Sequence, residues 1–417
     1  MRIRSKEQAA RKVATGSRRS VGLIVVLLLV SGSCLPAHAA NSKHQGDEHI
    51  GGALSTTPPL AHLSPALNTK AIDKAMRKVG DWELKRSQPY FAQGWTWGVL
   101  YTGFMAASRT LPDRKYRAAM LRMGDKFDWR MEAVAQHARN VADYHVIGQS
   151  YLELYQHDRQ AKMIQPTQAL FDHLMSVPDI PDKPVWWWCD ALFMGPPTWA
   201  RLYRVTGNKA YLDYMNREFW ITSNLLYRPK EKLYSRDATF LHKTDKDGNP
   251  LFWSRGNGWV LAGIARILED MPVNYPSRPK YVAQFRQIAS RVASLQGPDG
   301  LWSSDLLDRK AYPAPEVSGS SLFVFGIAWG IDQGILDRAT YLPVVEKGWK
   351  GLLSHVYENG RLGAIQPVGA APGAFPPTSS YVYGVGGFLL AGSELHRLAA
   401  QPHSSRLHLS KRTVRRP

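Results

Sequence analysis

Residues 192–226 read LFMGPPTWARLYRVTGNKAYLDYMNREFWITSNLL. Apolar side chains recur with a helical period over 192–205 and again over 211–226. Thr206-Gly207-Asn208 between them is a turn signal. The unit is a helical hairpin, and the same unit recurs along the chain. Leu67, Ile72, Ala75, Met76 and Val79 space as one helical face, and so do Ile147, Tyr151, Leu154 and Tyr155. Further helices are predicted over 120–134, 259–269, 281–295, 320–332, 342–355 and 383–398. Turn signals at 247–250, 297–300 and Asn359-Gly360 divide them. Strands and helices do not alternate as a parallel sheet requires, and no series of short strands supports a sandwich. Two stretches, 232–234 and 251–253, are predicted to form a small β-ribbon. Helical hairpins stack as a solenoid or close into a barrel. No fixed-period motif appears, which weighs against a regular solenoid.

The chain has 417 residues, of which 44% are hydrophobic and 21% charged. That balance excludes a disordered, collagen-like or coiled-coil chain. No apolar run reaches the roughly 18–20 residues of a spanning helix, so a polytopic membrane protein is excluded. Two cysteines make no disulfide framework. The first 39 residues hold seven basic side chains and one acidic, and the last twelve hold five basic and none acidic. About +8 of the formal +19 therefore belongs to the body between them. Nucleic acid is not expected as a partner, because the ends hold most of the charge.

Residues 2–19 are basic, 21–30 are apolar, and Ala37-His38-Ala39 is a small-x-small pattern. This is the layout of a secretory signal peptide, too short to span stably. Arg18-Arg19 admits a twin-arginine route and Cys34 a lipoprotein site, each as a partial match. The expected organisation is a signal peptide at 1–39, a flexible linker at 40–66, one helical domain at 67–400 and a basic disordered tail at 401–417. The expected location is periplasmic or secreted, with no stable membrane association after cleavage. Only Cys189 then remains.

Loops between the helices are rich in tryptophan and carboxylate. Trp95, Trp97, Trp188, Trp253 and Trp259 sit at segment ends. An aromatic ring suits the apolar face of a sugar, although each Trp alone also reads as a core residue. Asp190 ends the run Trp186-Trp187-Trp188-Cys189 and opens a helix. It reads equally as an N-cap or as a carboxyl whose pKa is raised by an apolar pocket for general-acid work. Asp143 reads equally as a helix start or as a second carboxyl that would divide acid and base roles with the first. Trp253-Ser-Arg255-Gly-Asn257-Gly-Trp259 is the densest constellation. Its glycines let backbone approach a ligand, and Arg255 can grip a carboxylate with two N–H groups. Arg236-Asp237 adds a second cation or a structural pair. The histidines show no metal-ligand spacing. No phosphate loop, dinucleotide fingerprint or nucleophile elbow appears.

Four segments resemble glycoside hydrolase family 105, the unsaturated rhamnogalacturonyl hydrolases, related to the family 88 unsaturated glucuronyl hydrolases. They are DYHVIGQSYLELY at 143–155, WCDALFMGPPTWARLYRVTGNKAYLD at 188–213, FWSRGNGWVLAGIARILE at 252–269 and PEVSGSSLFVFGIAWGIDQGILD at 315–337. The resemblance covers about residues 70–398. It implies an all-α (α/α)6 barrel of six hairpins, with the β-ribbon among its active-site loops. It also implies release of an unsaturated uronic acid from the non-reducing end of lyase-made oligosaccharides, by hydration of the C4=C5 bond. Asp190 then matches the acid/base and Asp143 the second active-site carboxylate. Trp253, Arg255, Asn257 and Trp259 match the substrate loop, with Arg236, Trp188, Trp95 and Trp97 as further contacts. No metal or cofactor is implied, the partner is an anionic oligosaccharide, and the protein is expected as a monomer or weak homo-oligomer. Rhamnogalacturonan-type members carry a histidine near the position of Arg236-Asp237. Here the run is LYSRDATFLH, with His242 further on, so the sugar beyond the scissile bond stays open between pectic rhamnose and another residue. A conventional inverting glycosidase and a non-catalytic oligouronide binder are the competing readings on the same barrel.

Overall fold

The computed structural model describes residues 47–133, 142–178, 183–245 and 247–401. The signal stretch, the start of the expected linker, the last residue of the predicted 120–134 helix and the basic tail from 402 onward lie outside the described residues. The hairpin at 192–226 forms as its sequence dictates. Helix α7 (Pro196–Thr206) opens on two prolines and stops at Gly207, whose φ of +75° favours glycine. The Asn208 side chain then accepts a hydrogen bond from Ala210 N and starts α8 (Lys209–Leu226).

Alternate helices build an inner ring. They are α2 (Trp95–Thr110), α4 (Val146–Asp158), α7, α9 (Ser254–Asp270), α11 (Val317–Asp332) and α13 (Val382–Ala400). Each packs on the next, and α13 packs back on α2 to close the ring. The outer helices are α1 (Thr69–Ser87), α3 (Lys115–Lys126), α5 (Gln165–Ser176), α8, α10 (Arg278–Ser294) and α12 (Arg338–Leu353). Thus α1 lies on α13, α3 on α2, α8 on α7, α10 on α9 and α12 on α11, while α5 follows α4 through a 3-10 turn at Ala161–Met163. This is the expected all-α barrel of six hairpins. The short α6 (Ala191–Met194) precedes α7. Helices α2 and α13 approach so closely that a Cβ on Gly103 would sit 2.6 Å from the Gly386 Cα.

Periodicity misses two of the twelve barrel helices. Residues 96–107 of α2 are buried on every side, so no polar face marks it. The polar start of α5, which carries a proline, hides its short buried face of Thr167, Phe171 and Leu174.

Two other expectations need correction. The described part of the linker is strapped to the barrel. Strand β1 (Gly51–Gly52) pairs antiparallel with β4 (Ser380–Tyr381), and Ala61 N donates to Val356 O at 2.8 Å. Backbone pairing, invisible in a polar and proline-containing composition, orders this segment. The ribbon also has different partners. Strand β3 (Leu233–Tyr234) pairs with β2 (Tyr227–Arg228), because the chain reverses just after α8 with Lys232 at positive φ. Residues 252–254 instead pair with 304–306: Ser254 N donates to Ser304 O and Leu306 N to Phe252 O, both at 2.9 Å.

All six inner helices run in one direction, because contacts group their N-terminal turns at one end and their C-terminal turns at the other. At the C-terminal end the Arg201 guanidinium joins three of them. Its Nε donates to Asp270 at 2.9 Å, Nη1 to Glu153 at 3.1 Å and Nη2 to Glu269 at 3.3 Å. Arg109 of α2 also pairs with Glu153. Arg266 Nε donates to Gln149 Oε1 at 2.6 Å, and Gln149 Nε2 donates to Phe193 O at 2.8 Å, tying this belt to α6. The Arg201 and Asp270 side chains are buried, so breaking the pair strands a charge. Arg201→Ala should therefore lower unfolding free energy by about 3–5 kcal/mol. Urea titration measures this, and a change under about 1 kcal/mol would show the belt to be unimportant.

Candidate active site

The N-terminal turns of the inner ring converge on one end, where their unpaired N–H groups and dipoles favour negative charge. Asp190 sits at the N-cap position of α6, yet its backbone is helical and its side chain makes no capping bond. The carboxyl is therefore not engaged as a cap. The strand before it is pinned by a Trp188–Asp237 bridge and by Cys189 N donating to Arg236 O at 2.8 Å. The Cys189 thiol donates to Asp190 Oδ2 at 3.4 Å. Burial raises the Asp190 pKa, against the pull of Arg236, Arg255 and the thiol. Burial also raises the thiol's own pKa, so it stays protonated as a donor.

Asp143 lies in the 3-10 turn at Ala142–Tyr144, just before α4. Burial first, and then the negative charge of Asp190, push its carboxyl up to about 7, while Arg236 opposes. The two carboxyls thus share one electrostatic neighbourhood, with Arg236 acting on both. His145 beside them is buried against Phe171, with its pKa pushed down to about 3 by desolvation. It is a neutral core residue.

An aromatic cluster gathers at the starts of α2, α9 and α13. Trp95, the first residue of α2, meets Trp259 edge-on at 6.3 Å and Tyr383 at 5.0 Å. Trp259 is buried against Phe193 at 4.9 Å. The Arg255 guanidinium lies 4.5 Å from the Trp253 ring and 5.0 Å from that of Tyr383. Its Nη1 donates to Gln366 O at 2.7 Å and its Nη2 to Pro367 O at 2.9 Å. Arg255 therefore holds the 366–367 loop with both terminal nitrogens, an arrangement unlike the carboxylate fork expected from sequence. Asn257 is likewise engaged with backbone. Its Oδ1 accepts from Tyr234 N at 2.8 Å, and its Nδ2 donates to Tyr234 O and Trp253 O. It fastens the ribbon to the first turn of α9. Trp97 is fully buried beside Phe91 and belongs to the core. Trp188 is nearly buried, whereas Trp187, stacked on it at 4.7 Å, is 36% exposed.

The structure adds residues that sequence reasoning missed. Gln366 accepts from Trp253 Nε1 at 2.7 Å and from Ser304 Oγ at 3.2 Å, and its backbone O also accepts from the Tyr383 hydroxyl at 2.6 Å. Glu316 N-caps α11 through Ser318 N and Gly319 N, and also accepts from Gln366 N at 3.1 Å. A single glutamine in an apolar loop offered no signal, but the Glu-x-Ser-Gly start of α11 could have been read as a cap. Among the described residues, no group of three or more His, Cys, Asp or Glu side chains is placed to hold a metal ion.

Residues 68–399 match the model of Glycosyl Hydrolase Family 88. The chain belongs to that family. It is 37% identical over 370 residues to an unsaturated 3S-rhamnoglycuronyl hydrolase of Formosa agariphila, covering 84% of this chain and 96% of the relative. An Alteromonas sp. protein of the same name is 29% identical over 392 residues, covering 86% and 94%. The solved family 88 structure from Bacteroides vulgatus superposes with a TM-score of 0.75 at 29% identity, covering 79% of this chain and 99% of that one. This family 88 protein is thus a glycoside hydrolase, in keeping with the resemblance drawn from its four motifs.

Its raised Asp143 pKa has a consequence for stability. The folded protein binds this proton more tightly than the unfolded chain, where the pKa is near 3.9. Stability from this group is therefore complete below about pH 4 and is lost as pH rises toward about 7. Asp143→Asn should leave Tm near wild type at pH 4 and raise it by roughly 2–4 °C at pH 8. Thermal scans at the two pH values check this, and a lower Tm for the variant at pH 8 would contradict it.

Proposed function

We propose that this hydrolase releases a 4,5-unsaturated uronic acid from the non-reducing end of oligosaccharides by hydration of the C4=C5 bond. The observation that carries the reading is the pair Asp190 and Asp143. Asp190 makes no capping bond, both carboxyls have raised pKa values, and Asp190 lies within the field of Arg255 at the start of α9. In this reading the protonated Asp190 gives its proton to C4 of the enol ether. Positive charge then develops at C5 and on the ring oxygen. A water adds at C5 and returns its proton to the Asp190 carboxylate. The resulting hemiketal opens and expels the aglycone. Asp143 orients the substrate, and burial raises the Asp190 pKa in the direction proton donation needs. The positive ends of six helices favour the uronate's negative charge. Two relatives whose names specify rhamnoglycuronyl substrates support rhamnose as the aglycone sugar.

The reading places the mature enzyme in the periplasm or outside the cell, supported by the basic, apolar and Ala37-His38-Ala39 succession. It works as a monomer or weak homo-oligomer on a soluble anionic oligosaccharide.

Asp190→Asn should abolish loss of the ultraviolet absorbance of the C4=C5 bond, by at least about 1,000-fold in kcat, with folding intact. Lyase-made uronyl–rhamnose disaccharides are the substrates. A variant that still turns over sinks the mechanism. Turnover of a saturated uronide by wild type, with the two carboxyls acting across the glycosidic bond, would establish an inverting glycosidase instead.

A further inference from the structure

The two carboxyls of the site stand on different elements, and a buried side chain joins those elements. Asp143 lies in the turn that leads into α4, and Asp190 leads into α6. Gln149, on α4, is fully buried. Its Nε2 donates to Phe193 O at 2.8 Å, and Phe193 N in turn donates to Asp190 O at 3.0 Å. Gln149 is itself fixed. Its Oε1 accepts from Arg266 Nε at 2.6 Å, and its backbone O accepts from Arg201 Nη1 at 3.3 Å.

Helix α6 has four residues, too few to hold its place by internal hydrogen bonds. What surrounds it must do so. It lies flush on α9, because a Cβ on Gly263 would collide with Leu192 O. The Phe193 ring packs on Trp259 at 4.9 Å. Near the Asp143 turn, a Cβ on Gly195 would sit 3.2 Å from the Ala142 Cβ. These contacts limit how closely α6 approaches, whereas a directional bond fixes how far it can slide. Thr198 Oγ1, donating to His145 O at 2.8 Å, makes the next such link from α7. We propose that Gln149 is a positioning residue for the hydration: by holding Phe193 O it fixes α6 against α4, and so sets the spacing of Asp190 and Asp143. The inference rests on the uronyl hydrolase reading and adds the group that spaces the two carboxyls. Electrostatics makes that spacing matter. The Asp190 charge acts on Asp143, Arg236 acts on both, and Arg255 and the Cys189 thiol act on Asp190. Coulomb energy falls with separation, so a small drift of α6 changes how the pair holds its protons.

Two variants test this. Gln149→Met keeps the volume and loses both side-chain bonds. Gln149→Glu keeps the acceptor for Arg266 and replaces the donor to Phe193 O with a second acceptor. On lyase-made unsaturated uronyl disaccharides, kcat should fall by about 10–100-fold in both, with KM within about twofold of wild type. Gln149→Glu should melt no lower than Gln149→Met, because its carboxylate meets the buried Arg266 guanidinium. Stability and turnover are thereby separated. Weaker repulsion lowers the upper pKa of the pair, so the basic limb of kcat/KM should move to lower pH by about half a pH unit in Gln149→Met. Near-wild-type kcat in Gln149→Glu would overturn the inference. So would a kcat that follows Tm with the limb unmoved, which would leave Gln149 a core residue. Failure of the hydrolase reading shows differently: Asp190→Asn would keep turnover, or no unsaturated disaccharide would be consumed. Thermal scans then decide without substrate. The gain in Tm from Asp143→Asn at pH 8 should be smaller by about a third or more in the Gln149→Met background, and an equal gain would overturn the inference.

Discussion

The parallel run of the six inner helices is the constraint on which the rest of this structure depends. It gathers six sets of unpaired N–H groups at one end and six sets of unpaired carbonyls at the other. Side-by-side dipoles of one sense repel, so both ends need compensation. At the carbonyl end the chain provides Arg109, Arg201 and Arg266 within a buried network of carboxylates. At the other end, Glu316 caps α11 with both carboxylate oxygens. The remaining N-termini there create a field in which an anionic substrate is welcome. The polarity of the barrel thus marks the end at which the proposed chemistry takes place, before any catalytic group is considered.

Within that field the two aspartates are held against their ordinary ionisation. Burial is the leading cause for both, and Asp190 adds to the effect on Asp143. Arg236 pulls in the other direction on each. In the proposed hydration, an acid that protonates carbon near neutral pH needs such a balance: enough desolvation to keep its proton, and enough positive charge to tolerate losing it. The Cys189 thiol contributes on the ionised side by donating to Oδ2, with its own pKa driven up by the same burial.

The conspicuous motif at 253–259, which the structure places at the start of α9, supplies much of the scaffold of the candidate site. Arg255, Asn257 and the Trp253 indole N–H all bond to protein groups, and Gln366 gathers two of the three. Through Gln366 N the assembly reaches Glu316, and through the Tyr383 hydroxyl it reaches α13. One glutamine therefore sets the spacing of α9, α11 and α13 at the mouth. A motif dense in Trp, Arg and Asn reads from sequence as ligand-binding chemistry. In the folded protein those side chains bond to Gln366 and to nearby backbone, because buried polar groups without partners are costly.

The helical hairpins and their turn residues were legible in the chain itself, because amphipathic periodicity and a Gly-Asn stop are local signals. Helix α2 was illegible for the converse reason: a helix buried on all sides has no polar face. The strap at 47–61 and the pairing of 252–254 with 304–306 join segments distant in sequence, so no local pattern announces them. That the Asp190 side chain makes no capping bond is likewise visible only in the folded protein. Sequence by itself determined that helices would pair and that aspartate and tryptophan would crowd their connections. Tertiary structure alone decided which of those groups share a cleft and which are engaged in holding it, because burial and partner geometry arise only when the ring closes.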